Sequence, residues 1–185
     1  MTDDIQVVPD PVAQAAQDPQ PSTVLEQLAA KRGAIADTRE TFIPLPGYDK
    51  EPPLLLAKYR LIDGPELAQL GSDVQAEFRS RWDRQLYMAI ATMIRACGGI
   101  YVDIAGDGSP VPLTLNGEAI AGYNDDLAQA LNFADKLPPA HRDRDVLIGL
   151  FGGNEVMISA HSIILNRWFS DTSINVSKEM LEGNF

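Results

Sequence analysis

The sequence predicts a mainly α (α+β) fold: a helical core with one or two short β-hairpins behind a disordered acidic N-terminal arm. Three observations carry this expectation. Trp82, Leu86, Ala89, Ile90, Met93 and Cys97 recur at helical spacing and define one apolar face. The stretch TFIPLPGYDKEPPLLLAKYRLI, residues 41–62, has Pro44, Pro46, Pro52 and Pro53, which exclude a helix before about Leu54. Residues 1–21 hold Asp3, Asp4, Asp10 and Asp18 with four prolines and no Lys or Arg, too little apolar surface to offset chain entropy.

The elements follow in order. After the arm, Thr23 and Glu26 form a capping box for a helix reaching about Thr38, with Leu25, Leu28 and Ile35 on its apolar side. Residues 41–62 read as two short strands, a loose hairpin at a sheet edge, because proline is tolerated in a sheet chiefly at an edge. Asp63, Pro65 and Glu66 start a helix over 64–78, with Asp63 as cap and Glu66 completing a box. The periodic segment becomes a helix over 80–97, ended by Gly98-Gly99. Ile100–Ile104 and Val111–Leu115 flank a glycine-rich turn at 105–109 and read as a hairpin, with a further turn at Asn116-Gly117. A helix near 123–134 presents Tyr123, Leu127, Ala130, Leu131 and Ala134 inward. Pro138-Pro139 interrupts the chain, and helices over 142–151 and 154–170 follow, the latter capped by Asn154. This organises the chain as an arm at 1–21, one domain at 22–172 and a flexible tail at 173–185, whose apolar residues are too irregular for a long amphipathic helix. Trp82, Leu86, Ile90, Met93 and Trp168 are expected in the core.

Composition bounds the function. The chain has 185 residues, 45% of them hydrophobic, enough for one cored domain. A formal net charge of −11 argues against nucleic acid and against an anionic membrane surface as partners, since both need a surplus of Lys and Arg. No window approaches the roughly 18 continuous apolar residues of a membrane span. The single cysteine, Cys97, allows no intrachain disulfide, and its place on the helix face reads as a buried, inert thiol. The N-terminus has neither the basic nor the apolar region of a signal peptide.

No catalytic constellation emerges. His141 and His161 lack metal-ligand spacing and read as surface or satisfied histidines. Asp103-Ile-Ala-Gly-Asp-Gly108 superficially resembles a calcium loop but has Ala105 at the third position and no downstream bidentate Glu, so a hairpin turn is preferred. The glycines of 149–153 lack the Lys-Ser/Thr of a phosphate loop and read as a tight helix corner. Asp103, Asp107, Asp125 and Asp126 could form an acid/base pair only if folding gathered them. Arg79, Arg81, Arg84 and Arg95 cluster on one helical region of an acidic chain. They read either as a solvated face or as a self-association contact.

The blocks ETFIPLPGYDKEPPLLLAKYRLID, RWDRQLYMAIATMIRACGGIYV, LTLNGEAIAGYNDDLAQALNF and VLIGLFGGNEVMISAHSIILNRWFSDTS span about residues 40–172. Together they resemble tail assembly chaperones of long-tailed, siphovirus-type phages of actinobacteria. The short β-rich stretches depart from the simplest members of that class. The resemblance implies a non-enzymatic protein, without cofactor or metal. It would work in the host cytoplasm, keep the tape measure protein soluble, bring tail tube protein to it, and be absent from the mature virion. It also implies a frameshifted longer form, which a protein sequence cannot display. The alternative reading is a structural head–tail connector or tail completion protein. On the chaperone reading, Ile163, Ile164, Leu165, Trp168 and Phe169 of the last helix, with Met180, Leu181 and Phe185 of the tail, are the expected partner-binding residues. Self-association into a homo-oligomer would use the four arginines.

Overall fold

A computed structural model of the chain describes residues 39–182, with side chains to Ser173. The expected arm at 1–21, the helix with the Thr23–Glu26 box, and Phe185 lie outside the described residues.

The sheet is larger than the sequence suggested. Strand β1 (Glu40–Pro44) pairs antiparallel with β2 (Leu54–Arg60), β2 with β3 (Cys97–Asp103), and β3 with the short β4 (Val111–Pro112). The order β1-β2-β3-β4 makes one four-stranded antiparallel sheet, so the mainly α expectation is corrected to α+β. The reason lies in β2. Leu55, Ala57 and Tyr59 alternate onto the helix-covered face and pair with Val102, Ile100 and Cys97 of β3. The strands expected at 41–62 pair as a hairpin, and β1, which carries Pro44, lies at the sheet edge as expected, while β2 is joined to the later β3 in the same sheet. A bulge opposite Lys58 and Tyr59 places Gly98 as the extra residue.

The strand expected over 111–115 is broken at Leu113. Its second half, β5 (Thr114–Leu115), turns back onto β6 (Glu118–Ala119) as a separate two-stranded sheet. Asn116 and Gly117 both take positive φ, 53° and 87°, as a tight two-residue hairpin turn requires. Leu113 joins the two sheets: its N–H donates to the Ile100 carbonyl, and its own carbonyl accepts from Ile120.

Among the described residues there are five α-helices. Helix α1 (Gly64–Glu77) is capped by Asp63, whose carboxylate accepts from the Glu66 N–H at 2.7 Å. Glu66 does not close the expected box, because Arg60 and Arg95 hold its carboxylate. Helix α2 (Arg81–Ala96) ends one residue before Cys97, which turns extended and opens β3. Cys97 is therefore not on the helix face as expected, although burial still pushes its thiol up to about 11. Helix α3 (Asp125–Ala130) starts at the Asn124 cap and is shorter than expected, because Asn132 takes a left-handed conformation. A 3₁₀ turn (Ala134–Lys136) leads on to α4 (Asp143–Leu150) and α5 (Glu155–Glu182). Gly152 and Gly153, at φ 61° and 74°, turn the chain by 104° between α4 and α5. Gly149 has a separate role: a Cβ there would sit 2.9 Å from Leu137 and 3.2 Å from Phe133. Helix α5 runs past residue 170 and takes in the expected tail as far as Glu182, because no glycine or proline interrupts residues 154–182. Among the described residues, no single helix is long and apolar enough to cross a membrane.

The core lies between sheet and helices. It joins Ile43, Leu55 and Ile100 of the strands to Ile90 and Met93 of α2, Leu127 of α3, Val146 and Leu147 of α4, and Ile158 and Leu165 of α5. Of the expected core residues, Ile90 and Met93 are buried, while Leu86 and Trp168 are partly buried against the core. Trp82 is 65% exposed, which corrects its assignment. It keeps the phase of the stripe but sits in the first turn of α2, where no described residue buries it.

Candidate functional site

Three features hold the chain's polar and exposed chemistry. The first is a trough on the helical side. Leu67, Gly71 and Val74 of α1, Met88, Ala89 and Thr92 of α2, and Ser162 and Asn166 of α5 line a cavity of about 640 Å³. A neighbouring cavity of about 430 Å³ shares Gln85, Ala89, Ser162 and Asn166 with it and adds Trp82, Leu86 and Ile163. Through these shared residues the two make a continuous depression along α2. The local sequence explains the gap. Gly71 leaves open space, and Ala89, Ser159 and Ser162 are small where α2 meets α5. Stacking of Phe78 on Tyr87, centroids 3.9 Å apart, fixes the α1–α2 corner. Arg144 lies over the Tyr87 ring and pairs with Glu77 at 2.6 Å.

Arg81 and Arg84 stand on the rim of this trough, and neither has a carboxylate partner among the described residues. Arg95, at the other end of α2, is bound to Glu66 at 2.5 Å. Glu66 also takes the Arg60 guanidinium, and these hydrogen bonds hold its carboxyl down at about 2, Arg60 contributing most. The four arginines read as one cluster are thus divided. Arg81 and Arg84 border the trough, Arg79 lies in the α1–α2 connection, and Arg95 belongs to an ion-pair network.

The residues expected on α5 are divided as well. Ile163 is 67% exposed and Ile164 52%. Leu165 is buried, and Trp168 and Phe169 are partly buried with ring centroids 5.4 Å apart. Val156, two turns before Ile163 on the same face, is also exposed. Met180 and Leu181 fall on the helical backbone of α5, beyond the last described side chain.

The second feature is a buried polar chain that sequence reasoning missed. The Tyr59 hydroxyl lies 2.5 Å from the Tyr123 hydroxyl and 2.8 Å from His161 Nε2. All three side chains are at most 2% exposed, so no small molecule reaches them. Two hydroxyls and a neutral imidazole bring three protons to two contacts. One proton is left over, and His161 Nδ1 has no hydrogen-bond partner among the described residues. Burial lowers the His161 pKa to about 4 and raises both tyrosines well above their usual value. His161 is therefore neutral at pH 7 and ties α5 to β2 and to the segment before α3. No spacing in the sequence announces a contact between residues 64 and 102 positions apart.

The third feature is the 103–109 turn. Asp103 is 3% exposed, and its carboxylate accepts from the N–H groups of Gly106, Asp107 and Gly108 at 2.7, 3.3 and 2.8 Å. Those oxygens face the loop's own backbone. Asp107 accepts from Ser109, Asp125 pairs with His141, and Asp126 accepts from the Asn124 side chain, so each carboxylate has a local partner. The hydrogen bond that His141 donates to the Asp125 carboxylate raises the histidine's pKa. Among the described residues no three His, Cys, Asp or Glu side chains are grouped to hold a metal ion. Comparison with protein-family models, curated proteins and solved structures gives no match.

Proposed function

We propose that this chain is a non-enzymatic tail assembly chaperone of a long-tailed phage. It binds the tape measure protein in the host cytoplasm, keeps it soluble, and promotes tail tube assembly without entering the finished virion. The resemblance of residues 40–172 supplies the class. The observation that carries the reading is the helical trough, with the exposed Trp82 and Ile163 at its mouth. Large apolar side chains at such exposure are suited to a partner's apolar surface. The strongly acidic chain around them adds solubility to whatever it coats. Coating a long client needs only a weak contact per subunit, because many copies act together.

Co-expression with the tape measure protein of the same phage tests this. Soluble tape measure protein is expected with the chain present and aggregated tape measure protein without it. Equal solubility in both cultures, with the chain recovered in purified virions, would replace the chaperone reading with that of a structural connector or completion protein.

A further inference from the structure

The trough is built wholly from helices, and that restricts what can lie in it. Its lining comes from α1, α2 and α5, with no sheet edge exposed within it. An extended segment laid there would leave its backbone N–H and C=O groups unpaired on the trough side. A helix brings its hydrogen bonds already satisfied and needs only an apolar stripe. From Arg81 to Thr92, α2 offers a path of about 16 Å at 1.5 Å per residue, enough for three helical turns.

Charge defines the occupant further. In a chain of net charge −11, the two side chains on this rim, Arg81 and Arg84, are cationic and lack a carboxylate partner among the described residues. Nearby carboxylates are engaged elsewhere: Glu77 with Arg144, Glu66 with Arg60 and Arg95, and Asp73 with the Gln69 amide. Asp83 projects about 100° around the helix from Arg84 and about 160° from Arg81. The floor between the arginines and α1 is apolar, from Leu67, Val74, Met88 and Ala89.

We propose that this trough binds an amphipathic helix of a partner protein whose apolar stripe is flanked by Asp and Glu. The apolar residues would enter the floor and the carboxylates would meet Arg81 and Arg84. The inference rests on the client-binding reading above and names the kind of client segment recognised.

The test uses the full chain carrying Trp168→Phe, which leaves Trp82 as its one tryptophan. Three labelled synthetic peptides share a leucine stripe at helical spacing and carry glutamate, glutamine or lysine on its flanks. The glutamate peptide should bind about tenfold more tightly than the glutamine peptide, as two rim ion pairs would supply. The lysine peptide should bind most weakly, the preference should shrink with added salt, and Trp82 emission should shift to the blue. In the doubly substituted Arg81→Glu, Arg84→Glu chain the order should invert. Equal affinity for the three peptides, or binding of none, would overturn the proposal. So would a peptide-free dimer in sedimentation that the charge reversal abolishes, which would assign the trough to a second copy of the chain. Co-expression separates the two levels. If the charge-reversed chain still keeps tape measure protein soluble, the trough proposal fails and the chaperone reading stands. If the unaltered chain does not keep it soluble yet binds the glutamate peptide, the chaperone reading fails and the trough stands.

Discussion

The Tyr59 hydroxyl and His161 Nε2 meet at 2.8 Å in the interior, joining β2, one of the two central strands of the sheet, to the long last helix. Helix α5 supplies both that buried anchor and, two residues further on, the exposed Ile163. The same helix is thus buried on one side and exposed on the other.

His161 makes stability pH-dependent in a defined direction. Its pKa falls from an ordinary 6.5 to about 4 on folding, so between these values the unfolded chain binds a proton that the native chain does not. Stability is fully present above pH 6.5 and declines as pH falls toward 4. The loss is on the order of 3 kcal/mol at 1.36 kcal/mol per pKa unit. Urea titrations of the native chain and of His161→Gln at pH 7 and pH 4.5 measure it. A difference between the two chains that does not change with pH would show that the histidine does not titrate as described.

Ile90 and Trp82 belong to one apolar stripe but should respond oppositely to truncation. Ile90, 1% exposed, should cost about 2–5 kcal/mol as Ile90→Ala. Trp82→Ala should stay within about 0.5 kcal/mol, as surface changes generally do. Denaturant midpoints at constant m-value decide this, and a large loss for Trp82→Ala would mean that the ring packs against the domain.

Asp103→Ala removes the acceptor for three backbone N–H groups in the 103–109 turn. Gly106, Asp107 and Gly108 are exposed and water takes the carboxylate's place, so the expected loss is the net value of a hydrogen bond to a charged group, about 1.5–3 kcal/mol. Faster amide exchange at Gly106 and Gly108 should accompany the loss, and unchanged exchange there would show that the turn holds without its carboxylate.

His141 works in the opposite sense from His161. The Asp125 carboxylate raises its pKa, so the pair's contribution is present below the ordinary imidazole value and is lost as pH rises through the raised one. An NMR titration should place His141 above 6.5 and return it toward 6.5 in Asp125→Asn. An unshifted His141 in the native chain would remove this contact from the account.

The sequence by itself determined what is local. Asp63 and Asn154 cap helices because each side-chain oxygen meets N–H groups two or three residues on. The apolar period that buries Ile90 and Met93, the Asn116-Gly117 turn and the Gly152-Gly153 corner are likewise short-range consequences of residue type. Only the tertiary structure decided the rest. It joined β2 to β3 in one sheet, because strand pairing depends on partners some forty residues away. It divided Arg81 and Arg84 from Arg95, because Glu66 arrives from another helix. It brought Tyr59, Tyr123 and His161 together, and it left Trp82 uncovered at the end of its stripe. Periodicity shows which face of a helix is apolar. How far along that face a neighbour reaches is set by where the other elements end, and that is where the trough begins.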